Sequence, residues 1–244
     1  MILPASYIQS LAEGPPFGLD LQRDTAAPLS IWHCRFDTLR YRDGEYAAHG
    51  IRLPPSIADA ALKRRSEYLA GRVAAAQVLR ALGAGAFQLS AGEDRAPRWP
   101  GNVQGSLSHN ASLAVCIGRV RPRERISGLG IDVETLIADA RAPDLWPGII
   151  STEEHALLAA TALSFAVALT LAFSAKESLY KALYPQVKRY FDFLDARVIG
   201  LTDKHIVLEL VVELTPQLPA GMCFHCDYAC SDAEVLTVMA VDGA

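Results

Sequence analysis

Several features that would assign a chain to a compartment or a polymer partner are missing here. The five cysteines are an odd number with no disulfide-like spacing, which excludes the stapled frameworks of small secreted domains. The first seven residues have neither a basic start nor an apolar core, so no secretory signal is expected there. A reducing cytoplasm is the expected setting. Net charge is −4 at pH 7, so no general affinity for nucleic acid is expected. No internal sequence repeat is visible. Charged residues make up 20% against 51% hydrophobic, the balance of a soluble globular protein with a sizeable core. The 244 residues allow one large domain or two small ones.

One long uncharged run does occur. Residues 156–175 match a membrane span in length. The run is mostly alanine with Thr161, Ser164, Thr170 and Ser174, hence only mildly apolar, and it passes straight into Lys176-Glu177 without aromatics at both ends. The expectation is two buried helices broken near Thr161, the first started by a capping box from Ser151 to Glu154. Cys223, Cys226 and Cys230 with His225 invite a metal site. In a strand, however, Cys223 and Cys226 point to opposite faces, and buried thiols are expected instead.

Two acidic clusters stand out. Glu177 and Lys181 are four apart and share a helix face, with Lys176 on an adjoining one. Such a pair can be a solvated surface contact and nothing more. Upstream, Gly130-Ile131-Asp132-Val133-Glu134 alternates as a strand does, with both carboxylates on one face about 7 Å apart. Two like charges so placed repel unless something positive sits between them. With Glu177 as a third carboxylate, the set suits a divalent cation, magnesium (Mg2+) first and manganese (Mn2+) second. The alternative is an edge strand with a wet acidic face.

Elsewhere the first thirty residues are expected to be mostly loop, and 29–36 a strand. Ser56 is expected to cap a helix running to about Leu82 with a buried stripe of Leu62, Leu69, Val73, Ala76 and Leu79. Lys63, Arg64, Arg65 and Arg72 decorate the rest of that helix. Pro97 to Pro100 is expected to be a rigid turn, and 106–117 a single strand carrying Ser108 and His109. Residues 118–127 are polar and basic, a candidate linker that divides the chain into halves 1–125 and 126–244. The last fifty residues alternate as four successive strands, which implies antiparallel pairing.

These motifs together resemble the 4′-phosphopantetheinyl transferases, in the branch of the surfactin-synthetase activator and enterobactin synthase component D. The sequence G-I-D-V-E is followed about forty residues later by F-S-A-K-E-S-L-Y-K-A. Before them stand the basic stretch Arg64 to Arg72, then Gly92 to Pro100, then Gly105-Ser106-Leu107-Ser108-His109. After them come Ala182 to Pro185 and Tyr190-Phe191-Asp192-Phe193. The resemblance covers about residues 60–200.

It implies an α/β (α+β) fold of two similar halves packed as a pseudo-dimer, with the active site at their junction. It also implies an enzyme, a cytoplasmic monomer without a membrane span or nucleic-acid partner. The implied reaction moves 4′-phosphopantetheine from coenzyme A to a serine of an apo carrier protein, and releases adenosine 3′,5′-bisphosphate. Fatty acid, polyketide or non-ribosomal peptide synthesis, siderophore biosynthesis included, would supply the carrier. Asp132, Glu134 and Glu177 would hold the metal. Glu177 would take the serine proton, directly or through a water, with Lys176 and Lys181 neutralising phosphate charge. Arg64, Arg72, Arg95, Ser108 and His109 would contact coenzyme A. Some relatives carry a lysine where this chain has Ala91, and Arg95 is the candidate substitute. Two rivals are a magnesium-dependent nucleotide pyrophosphate hydrolase and a non-catalytic coenzyme A or carrier-binding module.

Overall fold

The computed structural model describes residues 6–21, 27–123 and 126–243. Glu124 and Arg125 of the expected linker, and the chain start at 1–5, lie outside them. The chain divides into two compact units, Met1–Pro15 with Ala27–Arg121, and Pro16–Ala26 with Pro122–Ala244.

In the first unit, β1 (Ile8–Glu13) and β2 (Ser30–Phe36) precede two short helices, α1 (Gly44–Ala48) and α2 (Pro55–Ala58). The long helix α3 (Leu62–Ala81) follows, then a small hairpin of β3 (Ser90–Ala91) and β4 (Pro97–Arg98), then β5 (Val103–His109) and β6 (Leu113–Val120). The main sheet runs β1-β2-β6-β5 and is antiparallel throughout. α3 lies across it and buries Leu69, Val73, Val78 and Leu79.

Five expectations change here. β1 replaces the expected loop. It is an edge strand with mostly exposed side chains, so it lacks the alternation that marks half-buried strands. Ser56 caps nothing, because Pro55 takes the first helical position, where its missing N–H is no loss. Leu62, at the start of α3, is exposed rather than part of the buried stripe. Residues 106–117 are two strands, turned by Asn110, whose side-chain oxygen accepts from the N–H groups of Ser112 and Leu113 at 3.0 and 2.9 Å. Pro97 also pairs in β4 rather than in a turn; the hairpin tip is Gly92 to Arg95, with Arg95 at φ 64°.

In the second unit, β7 (Ser127–Thr135) leads through α4 (Ala142–Leu145) and α5 (Thr152–Ala159) to α6 (Phe165–Val187). β8 (Ala196–Leu201), β9 (His205–Leu210), β10 (Cys223–Cys230) and β11 (Glu234–Asp242) complete it. The sheet runs β7-β11-β10-β9-β8, all antiparallel. The early segment Pro16–Gly18 packs against β10, and Lys204 reaches Asp20 at 3.4 Å. The capping box at Ser151 and Glu154 forms, and Ser164 caps α6 after the break. No helix among the described residues is long and apolar enough to cross a membrane.

α6 carries two buried faces. Leu169, Ala172, Ala175, Leu179 and Leu183 join the unit's hydrophobic core, each buried leucine contributing about 1.5–3 kcal/mol. The other face is Thr170, Ser174, Ser178 and Lys181, at helical spacing, and it lies on β7 and β11. There the backbones approach so closely that only glycine fits. A Cβ at Gly130 would stand 1.9 Å from the Ser178 carbonyl oxygen, and one at Gly128 2.3 Å from that of Ala182. Gly130→Ala is therefore expected to destabilise the protein by about 3 kcal/mol or more, above the usual overpacking range. Gly148→Ala, whose added methyl meets nothing within 4 Å, is the matched control. Thermal unfolding of the two checks this, and equal melting temperatures would refute it.

Candidate active site

The second unit places Asp132, Glu134, Glu177 and Lys181 within electrostatic reach of one another. Alternation along β7 turns Gly128, Gly130 and Asp132 toward α6. Asp132 is 1% exposed. Its Oδ1 accepts from Lys181 Nζ at 2.6 Å and its Oδ2 from the Ser174 hydroxyl at 2.8 Å. Lys181 also donates to the Ile131 carbonyl at 3.2 Å, which ties it to β7 by backbone and side chain.

Glu134 and Glu177 show what three carboxylates do to each other. Burial pushes the Glu134 carboxyl up to about 7; the charge of Asp132 and, less strongly, that of Glu177 add to the rise, while Lys181 opposes it. Burial likewise raises the Glu177 pKa, with Lys181 lowering it and Asp132 raising it. The set carries more negative charge than one ammonium balances. Its hard oxygen donors fit a divalent cation chemically. Among the described residues no three His, Cys, Asp or Glu side chains already close around one point, and Lys181 stands on the Asp132 oxygen.

Beside Glu177 is a cavity of about 200 Å³ lined by Lys176, Tyr180, Tyr190, Phe191 and Phe193, among others. Its walls are aromatic and mutually packed, Tyr180 against Phe191 at 5.0 Å and against Tyr190 at 6.1 Å between ring centres.

Lys176, expected to face phosphate, has its ammonium in the interior. It is 2% exposed, with Nζ 2.7 Å from Glu154 Oε1 and donating to the Ile149 carbonyl at 2.9 Å. Burial holds its pKa below the ordinary lysine value, against the pull of Glu154. Glu154 therefore does more than cap α5: Oε2 accepts from the Ser151 N–H at 2.8 Å and Oε1 from that of Val198 at 2.7 Å. The pair joins α5, α6 and β8. Breaking one partner of such a buried pair costs about 3–5 kcal/mol.

In the first unit, Arg64 and His109 come together, with Arg64 Nη1 3.3 Å from His109 Nε2. A guanidinium only donates, so Nε2 accepts and Nδ1 carries the proton. Nδ1 faces Glu67 Oε2 at 3.9 Å. Glu67, missed in the sequence, sits three residues after Arg64 and is signalled only by that spacing. Arg72 is engaged elsewhere: it is 7% exposed, donates from Nε to the Leu89 carbonyl at 2.8 Å, and lies over the Tyr68 ring at 4.1 Å. Two helical turns put it about 12 Å along α3 from Arg64. Ser108 alternates with His109 on β5, so its side chain takes the opposite face. Arg95 is exposed at its hairpin tip. Ser174, Ser178 and Thr237 beside Asp132 are not singled out by the sequence; the one signal for the two serines is their four-residue spacing on an apolar helix, and Thr237 on β11 has none.

Two family models match the chain in tandem: the 4′-phosphopantetheinyl transferase N-terminal domain over residues 54–117 and the 4′-phosphopantetheinyl transferase superfamily over 128–234. The second contains every acidic residue of the cluster, and the chain belongs to the 4′-phosphopantetheinyl transferase superfamily. It is an enzyme of that class, which takes coenzyme A as substrate and transfers phosphopantetheine to carrier proteins. It is similar to enterobactin synthase component D of Salmonella typhimurium, 40% identical over 178 residues, 72% of this chain and 71% of that protein. The Escherichia coli (strain K12) protein of the same name is 38% identical over 146 residues, 60% of this chain and 66% of its own length. The 4′-phosphopantetheinyl transferase PptT of Mycobacterium tuberculosis is 32% identical over 150 residues, 61% of this chain and 64% of its own.

The raised Glu134 pKa makes stability depend on pH. Between the unfolded value of 4.5 and about 7 the folded state holds the extra proton. The contribution is therefore fully present below 4.5 and lost as pH rises through 7, a change of about 2–3 kcal/mol. In chelator, Glu134→Gln is expected to melt at higher temperature than wild type at pH 8, with the gap closing by pH 4.5. A gap independent of pH would show that Glu134 is not held protonated.

Proposed function

We propose that the chain moves 4′-phosphopantetheine from coenzyme A to a serine of an apo carrier protein in a magnesium-dependent reaction that releases adenosine 3′,5′-bisphosphate. The observation that carries this reading is the coupled set of Asp132, Glu134, Glu177 and Lys181 beside a cavity with aromatic walls. The names of the similar enterobactin synthase components support a siderophore carrier as the first acceptor to try. The enzyme is proposed to act as a cytoplasmic monomer.

The serine oxygen attacks the β-phosphorus of the pyrophosphate. The bond from that phosphorus to the bridging oxygen breaks, and the electron pair leaves with the nucleotide. Glu177, whose raised pKa makes it a stronger base than a solvated carboxylate, takes the serine proton directly or through a water. Lys181 leaves Asp132 to meet the charge on the departing phosphate. The cavity beside Glu177 receives the pantetheine arm, whose gem-dimethyl and methylene groups suit aromatic walls. Asp132, Glu134 and Glu177 would hold Mg2+ or Mn2+, which when bound neutralises pyrophosphate oxygens. Arg64 and His109 remain the foremost candidates for coenzyme A phosphate contacts. Arg72, Arg95 and Ser108 stand behind them, and Lys176 acts through its buried pair rather than on phosphate.

Incubation with coenzyme A, magnesium and a panel of apo carrier proteins should give a carrier heavier by one phosphopantetheine, and excess chelator should abolish the gain. Release of phosphopantetheine without any carrier would favour the hydrolase instead. Asp132→Ala is expected to lower kcat about a hundredfold or more, as lost electrostatic stabilisers do. Arg64→Ala and His109→Ala should chiefly raise KM for coenzyme A. The reverse pattern in steady-state kinetics would overturn these roles.

A further inference from the structure

Asp132 is held by more than Lys181. Three hydroxyls, all fully buried, form a path that ends on it. Ser178 Oγ lies 2.8 Å from Thr237 Oγ1, Thr237 Oγ1 lies 2.9 Å from Ser174 Oγ, and Ser174 Oγ lies 2.8 Å from Asp132 Oδ2. Each hydroxyl owns one proton, which fixes the direction of the path. A carboxylate only accepts, so the Ser174 proton goes to Asp132. Ser174 Oγ is then an acceptor, and the Thr237 proton is shared between it and the Ser174 carbonyl oxygen at 3.0 Å. Ser178 in turn donates to Thr237 Oγ1, with the Thr237 carbonyl at 3.2 Å as its second acceptor. Every hydroxyl-to-hydroxyl bond formed along the path therefore has its donor on the side away from Asp132.

Buried serines and threonines on helices usually bond their own helix four residues back, as Thr170 does to the Ala166 carbonyl at 2.6 Å. Ser174 and Ser178 instead reach across to β7 and β11, spanning 42 and 59 residues of sequence. Bonds from a neutral donor to a charged acceptor are the stronger kind, and a polarised chain strengthens each member.

We propose that Ser178, Thr237 and Ser174 are positioning residues for the transfer reaction. They form a one-way hydroxyl relay that retains Oδ2 of Asp132 in the interior, so that Oδ1 alone is presented to Lys181 and to the charge handled in catalysis. A carboxylate free to rotate would share its two oxygens between these tasks. One fixed by the relay offers a single oxygen in a single direction. The cation side of this inference rests on the magnesium reading above, whereas the orientation of Asp132 does not.

The test is Thr237→Val, which removes the central hydroxyl at nearly constant shape, beside Thr237→Ser, which keeps it. Loss of a partner that orients a ligand typically costs 10–100-fold. Thr237→Val is therefore expected to lower kcat by about tenfold or more with little change in KM for coenzyme A. It should also weaken Mn2+ binding to the coenzyme-free protein, read by calorimetry, by about tenfold. Thr237→Ser should restore both. Wild-type kcat in Thr237→Val, or equal losses in the valine and serine variants, would reduce the three hydroxyls to packing and overturn the relay. If wild type bound no Mn2+ while the kcat pattern held, the cation reading would fall and the relay would stand. Should Thr237→Val not fold, Ser174→Ala removes the hydroxyl next to Asp132 instead; a tenfold loss of kcat is expected there too, and an unchanged kcat would overturn the proposal.

Discussion

The second unit depends on how close one strand comes to one helix. At Gly130 the β7 backbone meets the Ser178 carbonyl at a distance that no side chain tolerates. Everything chemical in this unit follows from that contact. Only at such range can Lys181 donate to the Ile131 carbonyl and to Asp132 at once. Only there can serines, with their short side chains, bridge a helix to two strands. The glycines are thus part of the candidate site's geometry although they offer no functional group.

The same closeness accounts for the electrostatics. Removing water from around Glu134 and Glu177 raises their proton affinity, and the charge of Asp132 raises both further. A solvated acidic strand would show none of this. The buried Lys176–Glu154 pair works differently: two opposite charges, with backbone N–H and C=O groups as further partners, hold α5, α6 and β8 together. Adjacent residues of one helix thereby differ in setting, Glu177 with the acidic cluster and Lys176 in a buried ion pair.

That division marks where sequence reading stops. The alternation through Ile131 and Val133 and the four-residue step from Glu177 to Lys181 are short-range periodicities, so strand, helix and shared face were all legible. So were the break near Thr161 and the cap at Ser151. Periodicity does not say which side of a helix is interior. The resemblance implies phosphate contacts for Lys176 and Arg72; the partners that hold them in the fold, Glu154 and Leu89, lie 22 and 17 residues away and are invisible to periodicity. β1 went unseen because an edge strand has no obligation to alternate, and the β5–β6 hairpin because a single asparagine makes its turn. What spacing alone could not give is that the two acidic clusters meet, with Glu177 and Lys181 close enough to act on Glu134.

The placement of Pro16–Gly18 and Asp20 has a consequence for how the protein is made. This early segment belongs with the second unit, and Asp20 finds Lys204 across 184 residues of sequence. During synthesis it leaves the ribosome long before β9 and β10 exist. The first unit can close its own sheet once β6 has emerged. The early segment's contacts with β10 and Lys204 cannot form until the second unit's sheet has been made.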